Sequence, residues 1–296
     1  MALPNDNSGT PALGEIQDKY VFPRDQKESK RLNAQHNLLV KVTRGTLIHP
    51  SIPKDQLISI ADIATGTGIW LNDVSQLLAN TSPTQRHYQG FDISPDQFPN
   101  NPGEIQLSVH DITVPFPKEH RNRYDLVHVR LVVAALEEHE YRSAIANLYD
   151  ILKPGGYLQW EELDEETYIS EDNPVIWEIR RCFDMGFKAE GKCFQASAKI
   201  FEESEAAGFL NVERLGYSSD WNSGIRVDTE DRLAAIIETL YSRLLVRSGQ
   251  VADSEAASKK ASDLIDQHRR LCAEGMSPPL KLMRVVGQKP SRAAAL

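Results

Sequence analysis

The chain has 296 residues, with 33 Lys plus Arg against 42 Asp plus Glu, for a formal charge of −9. Hydrophobic residues make up 41% and charged residues 25%, a globular balance that excludes a disordered, collagen-like or disulfide-framework protein. The acidic balance argues against a nucleic-acid partner, which normally favours a basic patch.

Residues 1–18 are rich in Pro, Gly, Asn and Asp without periodicity and read as a flexible tail. Over 26–48, Leu32, Leu39 and Val42 recur at near-helical spacing, and Pro50 and Pro53 end the pattern. LISIADIA (57–64) reads as a buried strand and 69–80 as a helix. Three more strands follow at 87–93, 104–111 and 124–130. A helix over 139–152 stops at LKPGG, and 156–163 reads as a fifth strand. Residues 194–207 read as a helix capped by Gly208, with strands at 209–218 and 280–289. Between those last strands, Leu233, Ile236, Ile237, Leu240 and Leu244 form one helical stripe. Ala261, Leu264, Ile265, His268 and Leu271 form another. Strands alternating with helices imply an α/β, Rossmann-like, mostly parallel sheet with helices on both faces. The expectation is one domain over 19–290, with an N-terminal cap helix at 19–50, a late helical lid insertion at 219–279 and a tail at 291–296.

Cys182, Cys193 and Cys272 are too scattered for a zinc site or a disulfide framework and are expected as reduced thiols. The longest apolar run, LVVAAL (131–136), falls far short of the roughly 20 residues of a bilayer span. MALPNDNSGTPALGE has neither the basic start nor the apolar core of a secretory signal, so a cytoplasmic protein without a membrane partner is expected.

The most informative segment is Asp62-Ile-Ala64-Thr-Gly66-Thr-Gly68, between the first strand and its helix. A ligand lying across such a corner needs bare backbone there, and the following helix turns its N–H groups toward an anion. A dinucleotide reading needs a third glycine where Leu71 stands. The alternative pattern, acid-x-small-x-Gly-x-Gly, fits with Ala64 in place of the first glycine. Asp92, at the end of the second strand and followed by Ile93, is placed to accept both ribose hydroxyls; an Asx-turn before Ser94-Pro95 is the rival reading. After the third strand, Asp111 is placed to accept from an adenine amino group and Ile112 to present its backbone N–H. Ligands of open α/β sheets bind at these strand ends.

In order, IADIATGTGIW, GFDIS, HDI, YDLVHVR and LKPGGYLQWEE resemble the motifs of class I S-adenosylmethionine-dependent methyltransferases. The block Tyr20-Val-Phe-Pro-Arg-Asp and Glu28-Ser-Lys-Arg-Leu-Asn-Ala-Gln-His36 resembles the fungal LaeA-type and secondary-metabolite group. The resemblance covers residues 20–290. It implies a seven-stranded sheet with an antiparallel last strand, S-adenosyl-L-methionine as cofactor, and a cap helix over the cofactor, with Tyr20 and Arg31 as binding residues; His36 is marked out only by the resemblance. Arg31 and Gln35 share one helix face and would either reach the donor's carboxylate or form an exposed polar face of the cap helix.

His128 is a candidate base beside the donor methyl or a core histidine. Arg130 is a candidate clamp for a carboxylate of donor or substrate, or a surface arginine. Glu161 is a candidate proton acceptor, although EELDEE also reads as a solvated acidic loop. Trp70 either lines the pocket or packs in the core. No Asp ends the fourth strand, so no metal is expected. The segment HVRLV lacks the Asn/Asp-Pro-Pro-aromatic motif of base and glutamine methylases, which leaves a small organic acceptor. The expected function is methyl transfer to oxygen or nitrogen of a small secondary metabolite by a monomer or homodimer. A regulator of the same fold, or a donor-binding enzyme that does not methylate, is the alternative.

Overall fold

A computed structural model describes residues 24–79, 85–163, 173–193, 195–276 and 279–291. Tyr20, the 1–18 tail and most of the 291–296 tail lie outside them. The strands are β1 (Ser59–Ile63), β2 (His87–Asp92), β3 (Ile105–Val109), β4 (Tyr124–Arg130), β5 (Leu152–Leu163), β6 (Leu210–Ser218) and β7 (Lys281–Gln288). They form one seven-stranded sheet in the order β3-β2-β1-β4-β5-β7-β6. Pairing is parallel from β3 to β5, and β7 runs antiparallel to both β5 and β6.

Every residue of β1 is buried, so both sheet faces need cover. The period of two divides its side chains. Ile60, Leu126 and Val286 pack with Trp70, Leu71, Val74 and Leu78 of α2 (Ile69–Leu78). Ala61, Ile63, Val127, Val129 and Trp160 pack on the other face with Tyr141, Ala144, Ile145 and Leu148 of α3 (Tyr141–Ile151). Burying each such side chain contributes about 1.5–3 kcal/mol. Lys289, just past β7, closes the C-terminus of α3 by donating to the carbonyls of Tyr149 (2.7 Å) and Leu152 (2.8 Å).

Two boundaries differ from the sequence reading. The cap helix α1 (Gln26–Val42) ends well before Pro50, because Arg44 (φ +54°) and Gly45 (φ +79°) turn left-handed. Strand β5 begins at Leu152 rather than 156. Tyr124 pairs with Leu152 but Leu126 pairs with Tyr157, so the Lys-Pro-Gly-Gly stretch bulges within the strand. A Cβ on Gly156 would stand 3.0 Å from the carbonyl oxygen of Tyr124.

The remaining helices are α4 (Pro174–Ala189), α5 (Ala196–Ala206), α6 (Arg226–Ile236), α7 (Ser242–Arg247) and α8 (Ser254–Ala273). A wide π-type turn, Ile237–Tyr241, joins α6 to α7. Its extra residue rotates the expected stripe: Tyr241 takes the buried position and its hydroxyl donates to Glu178 (2.7 Å), while Leu240 turns to the cleft. Leu233, Ile237, Ala257, Ala261 and Leu264 form a separate core with Ile176 and Ile179 of α4. The stripes of the late helices are thus covered within the chain. Among the described residues no helix is long and apolar enough to cross a membrane.

Candidate active site

A cleft opens at the C-terminal ends of β1 to β4, between α1 and the late helices. Its floor is the loop from β1 into α2. Ala64 (φ +57°), Gly66 (φ +54°) and Gly68 (φ +72°) are all left-handed there. Thr65 ties the loop down: its hydroxyl donates to Asp62 (2.7 Å) and its amide to the Phe91 carbonyl (2.9 Å). The Thr65 methyl lies over β2, where a Cβ on Gly90 would come within 2.8 Å of it. That requirement was not visible in sequence, since it joins two strands. Thr67 donates to Asn33 of α1 (2.7 Å), which fastens the cap helix to the loop.

Asp92 accepts the Gly66 amide on Oδ2 (2.8 Å) and the Ser94 amide on Oδ1 (3.2 Å). The Asx-turn and the cleft position therefore coexist, because each oxygen keeps a second lone pair. Burial raises its pKa against the lowering effect of those amides and of Arg24. Ile93 and Ile112 line the cleft. Asp111 also lines it, with Oδ1 accepting from the amide and hydroxyl of Thr113, both at 2.8 Å. These groups, with bare loop backbone at the head of a helix, form a cradle that a Cβ at Gly66 or Gly68 would strain, and they fit an adenosine-type ligand.

Asp62 does not stand free in the cleft. Its Oδ1 meets His128 Nδ1 at 2.7 Å. His128 is fully buried, and its ring stacks on Trp70 with centroids 3.7 Å apart and planes 3° from parallel. Trp70 is thus a core residue that covers the imidazole. Nδ1 donates to Asp62, which leaves Nε2 as the second ring nitrogen. It has no hydrogen-bond partner among the described residues and lies 3.8 Å from Glu161 Oε2.

The structure corrects the reading of Glu161. It is 2% exposed, absent from the cleft wall, and held by Arg284 through Nε (2.7 Å) and Nη2 (2.6 Å). Burial acts to raise its pKa, but Arg284, His128 and Arg130 outweigh it and hold the carboxyl far below the usual range. Such a carboxylate is a poor proton acceptor. Glu161 and Glu162 are also not a solvated loop, since both are buried in β5; residues 164–166 lie outside the described segments. Glu162, on the opposite face, accepts the Val132 amide (2.9 Å) and the Trp160 indole N–H (3.0 Å). Burial, opposed by these donors, pushes its pKa up to about 7.

Arg31 lines the cleft beside Gln35, but both its Nε and Nη2 donate to Glu28 at 2.7 Å, and its Nη1 donates to Gln35 at 3.3 Å. Arg130 lines the cleft at the end of β4 and gives one N–H to His36 (2.9 Å). Beyond Arg130 the wall is aliphatic: the 131–136 loop, Leu163, Ile236 and Leu240, with Arg232 among them. Leu131 is held at φ +57°, a strained conformation for a branched side chain at a ligand cleft.

The fold and the cradle define a nucleoside-binding α/β protein with an apolar second compartment. A family described as "Methyltransferase domain" matches residues 61–158. The chain is 42% identical over 154 residues to methyltransferase grgD of a Penicillium species, covering 50% of this chain and 53% of that one. It is 34% identical over 204 residues to N-methyltransferase verN of Clonostachys rogersoniana, covering 68% of each chain. It is 25% identical over 267 residues to the secondary metabolism regulator LAE1 of Hypocrea atroviridis, covering 86% of this chain and 74% of that one. Phosphoethanolamine N-methyltransferase 2 of Haemonchus contortus, solved with S-adenosyl-L-methionine, shares the fold (TM-score 0.50, 13% identity, 93% of this chain and 55% of that one). The chain belongs to the class I S-adenosylmethionine-dependent methyltransferases, in their fungal LaeA-type group. Its alignment spans about half the length of the first curated relatives, 53% and 52%.

Proposed function

We propose that the protein transfers a methyl group from S-adenosyl-L-methionine to a nitrogen or oxygen of a small secondary metabolite by in-line displacement. The observation that carries this reading is Asp92, whose carboxylate spans the cleft edge while anchored to the Gly66 amide at 2.8 Å. That arrangement suits a ribose diol beside bare loop backbone. The name of verN, an N-methyltransferase, favours nitrogen.

Bound S-adenosyl-L-methionine supplies a methyl already activated on a sulfonium. The chain's residues then have to bind, orient and exclude water. Asp92 and Asp111 serve the ribose and adenine. The aliphatic wall from the 131–136 loop to Leu240 dries the acceptor compartment. His128 holds Asp62 and, through it, Thr65 and the glycine loop. An amine acceptor that arrives unprotonated needs no base; a hydroxyl acceptor would need one, and His128 is an imidazole of the cleft lining. A His128→Gln variant separates these cases, because loss of a base changes the pH–rate profile and loss of packing does not.

A second reading, a donor-binding regulator, is supported by the long alignment with LAE1. Isotope-labelled S-adenosyl-L-methionine incubated with a fungal metabolite extract, followed by mass spectrometry, decides between them. Label in a small molecule is expected. Donor binding by calorimetry with no labelled small molecule would favour the regulator.

A further inference from the structure

His36 of α1 is buried, and its two ring nitrogens meet opposite partners. Arg130 Nη2 lies 2.9 Å from Nδ1, and Asp73 Oδ2 of α2 lies 2.9 Å from Nε2. A guanidinium only donates, so Nδ1 must be the bare nitrogen and Nε2 must carry the proton toward Asp73. The chain Asp73–His36–Arg130 thus has one consistent polarity. It joins three sequence blocks: the Gln-His of the cap helix, the helix after the glycine loop and the HVR of β4.

Arg130 makes no other hydrogen bond among the described residues. The carboxylates near it are engaged elsewhere, Asp62 by Thr65 and His128 and Glu161 by Arg284. Of the other arginines that line the cleft, Arg24, Arg31 and Arg232, Arg31 on α1 gives Nε and Nη2 to Glu28. In the sheet order β3-β2-β1-β4, Asp111, Asp92 and the glycine loop stand at successive strand ends, which on the donor reading would face adenine, ribose and sulfonium in turn. The next strand end is that of β4, where Arg130 stands.

We propose that Asp73 and His36 are positioning residues that aim Arg130 at the α-carboxylate of the donor. The assignment rests on the donor reading above. Asp73 is not among the residues lining the cleft, and its side chain is 36% exposed on the outer side of the relay. An Asp73→Ala change should therefore leave the fold intact, as melting temperature will show. In that variant the His36 proton loses its acceptor, the imidazole is free to change tautomer, and Arg130 loses its rest.

The test is calorimetry of the full chain with two compounds. S-Adenosylhomocysteine carries the carboxylate and 5′-methylthioadenosine lacks it. Wild type should prefer the former. Asp73→Ala should weaken S-adenosylhomocysteine about 5- to 20-fold and Arg130→Gln about 10- to 100-fold, the range of a charge-assisted contact. Affinity for 5′-methylthioadenosine should stay within about twofold, since it makes no such contact. His36→Gln, which keeps one acceptor and one donor, should preserve the preference, while His36→Phe, which only fills the space, should abolish it. Equal weakening of both compounds would reduce the relay to a structural prop. Equal wild-type affinity would remove Arg130 from the carboxylate. Failure of wild type to bind either compound would instead overturn the donor reading.

Discussion

Ala64 occupies a left-handed turn at the cleft floor, at φ +57°, where the family pattern has glycine. That conformation costs an L-residue roughly 1–2 kcal/mol. Glycine would relieve it but return about 0.5–1 kcal/mol through its freer unfolded chain. Ala64→Gly is therefore expected to stabilise the protein by up to about 1 kcal/mol, read as a higher urea midpoint. A lower midpoint would show that the methyl makes a contact worth more than the strain. Asp92→Ala removes the charged acceptor and should weaken S-adenosyl-L-methionine binding about 10- to 100-fold by calorimetry; unchanged affinity would move the ribose elsewhere. Both positions were legible because their signals are local, a short loop between strand and helix and an acid at a strand end. Gly90 was not legible. Its need is set by the Leu107 side chain of β3 (2.7 Å) and the methyl of Thr65 (2.8 Å), both across the sheet.

At the scale of elements, alternation along four strands builds a polar row on the face covered by α1 and α2. Asp62 on β1, His128 and Arg130 on β4, Gln159 and Glu161 on β5 and Arg284 on β7 follow one another through paired registers. Arg284 also donates to the Thr46 carbonyl (2.6 Å), and Gln159 donates to the Leu47 carbonyl (2.9 Å), so the row seats the connection after α1. Glu161→Gln leaves the Arg284 charge buried without its ion pair and should cost about 3–5 kcal/mol of unfolding free energy. Adding Arg284→Met should recover much of that loss in denaturant melts; no recovery would mean that the Thr46 carbonyl and the Tyr217 hydroxyl, which also accept from Arg284, depend on the guanidinium itself. The acidic run EELDEE could not disclose this. The partner of Glu161 is 123 residues away, and a run of like charge reads as solvated until a buried cation is placed beside it.

For the whole molecule, Glu162 sets a pH dependence. Its pKa, raised from 4.5 to about 7, lies on the face that fastens the 131–136 loop. Between those values the folded state keeps a proton that the unfolded state has released. Stability from this group is therefore full below the unfolded pKa and is lost as pH rises through about 7, with a slope of at most about 1.4 kcal/mol per unit. Glu162→Gln should flatten stability between pH 5 and about 8 relative to wild type in urea melts at several pH values; an unchanged slope would assign the window to other groups. The late helices act at the same scale. They carry their own core with α4, yet Arg232, Ile236 and Leu240 reach the cleft. Their periodicity was visible in sequence, but the wide turn at Ile237–Tyr241 was not, because it answers to packing against α4 and α8.

By itself, the sequence determined the strand–helix alternation, the glycine loop and the acids at successive strand ends. Each of these is written in a short window, as a period of two, a period of 3.6 or a turn. The tertiary structure alone decided which acids keep a free lone pair toward the cleft. Asp92 and Asp111 keep lone pairs there, while Asp62 and Glu161 are spent on His128 and Arg284. Charge in a folded protein is assigned by burial and by the nearest partner in space, and strand order brings that partner from far along the chain.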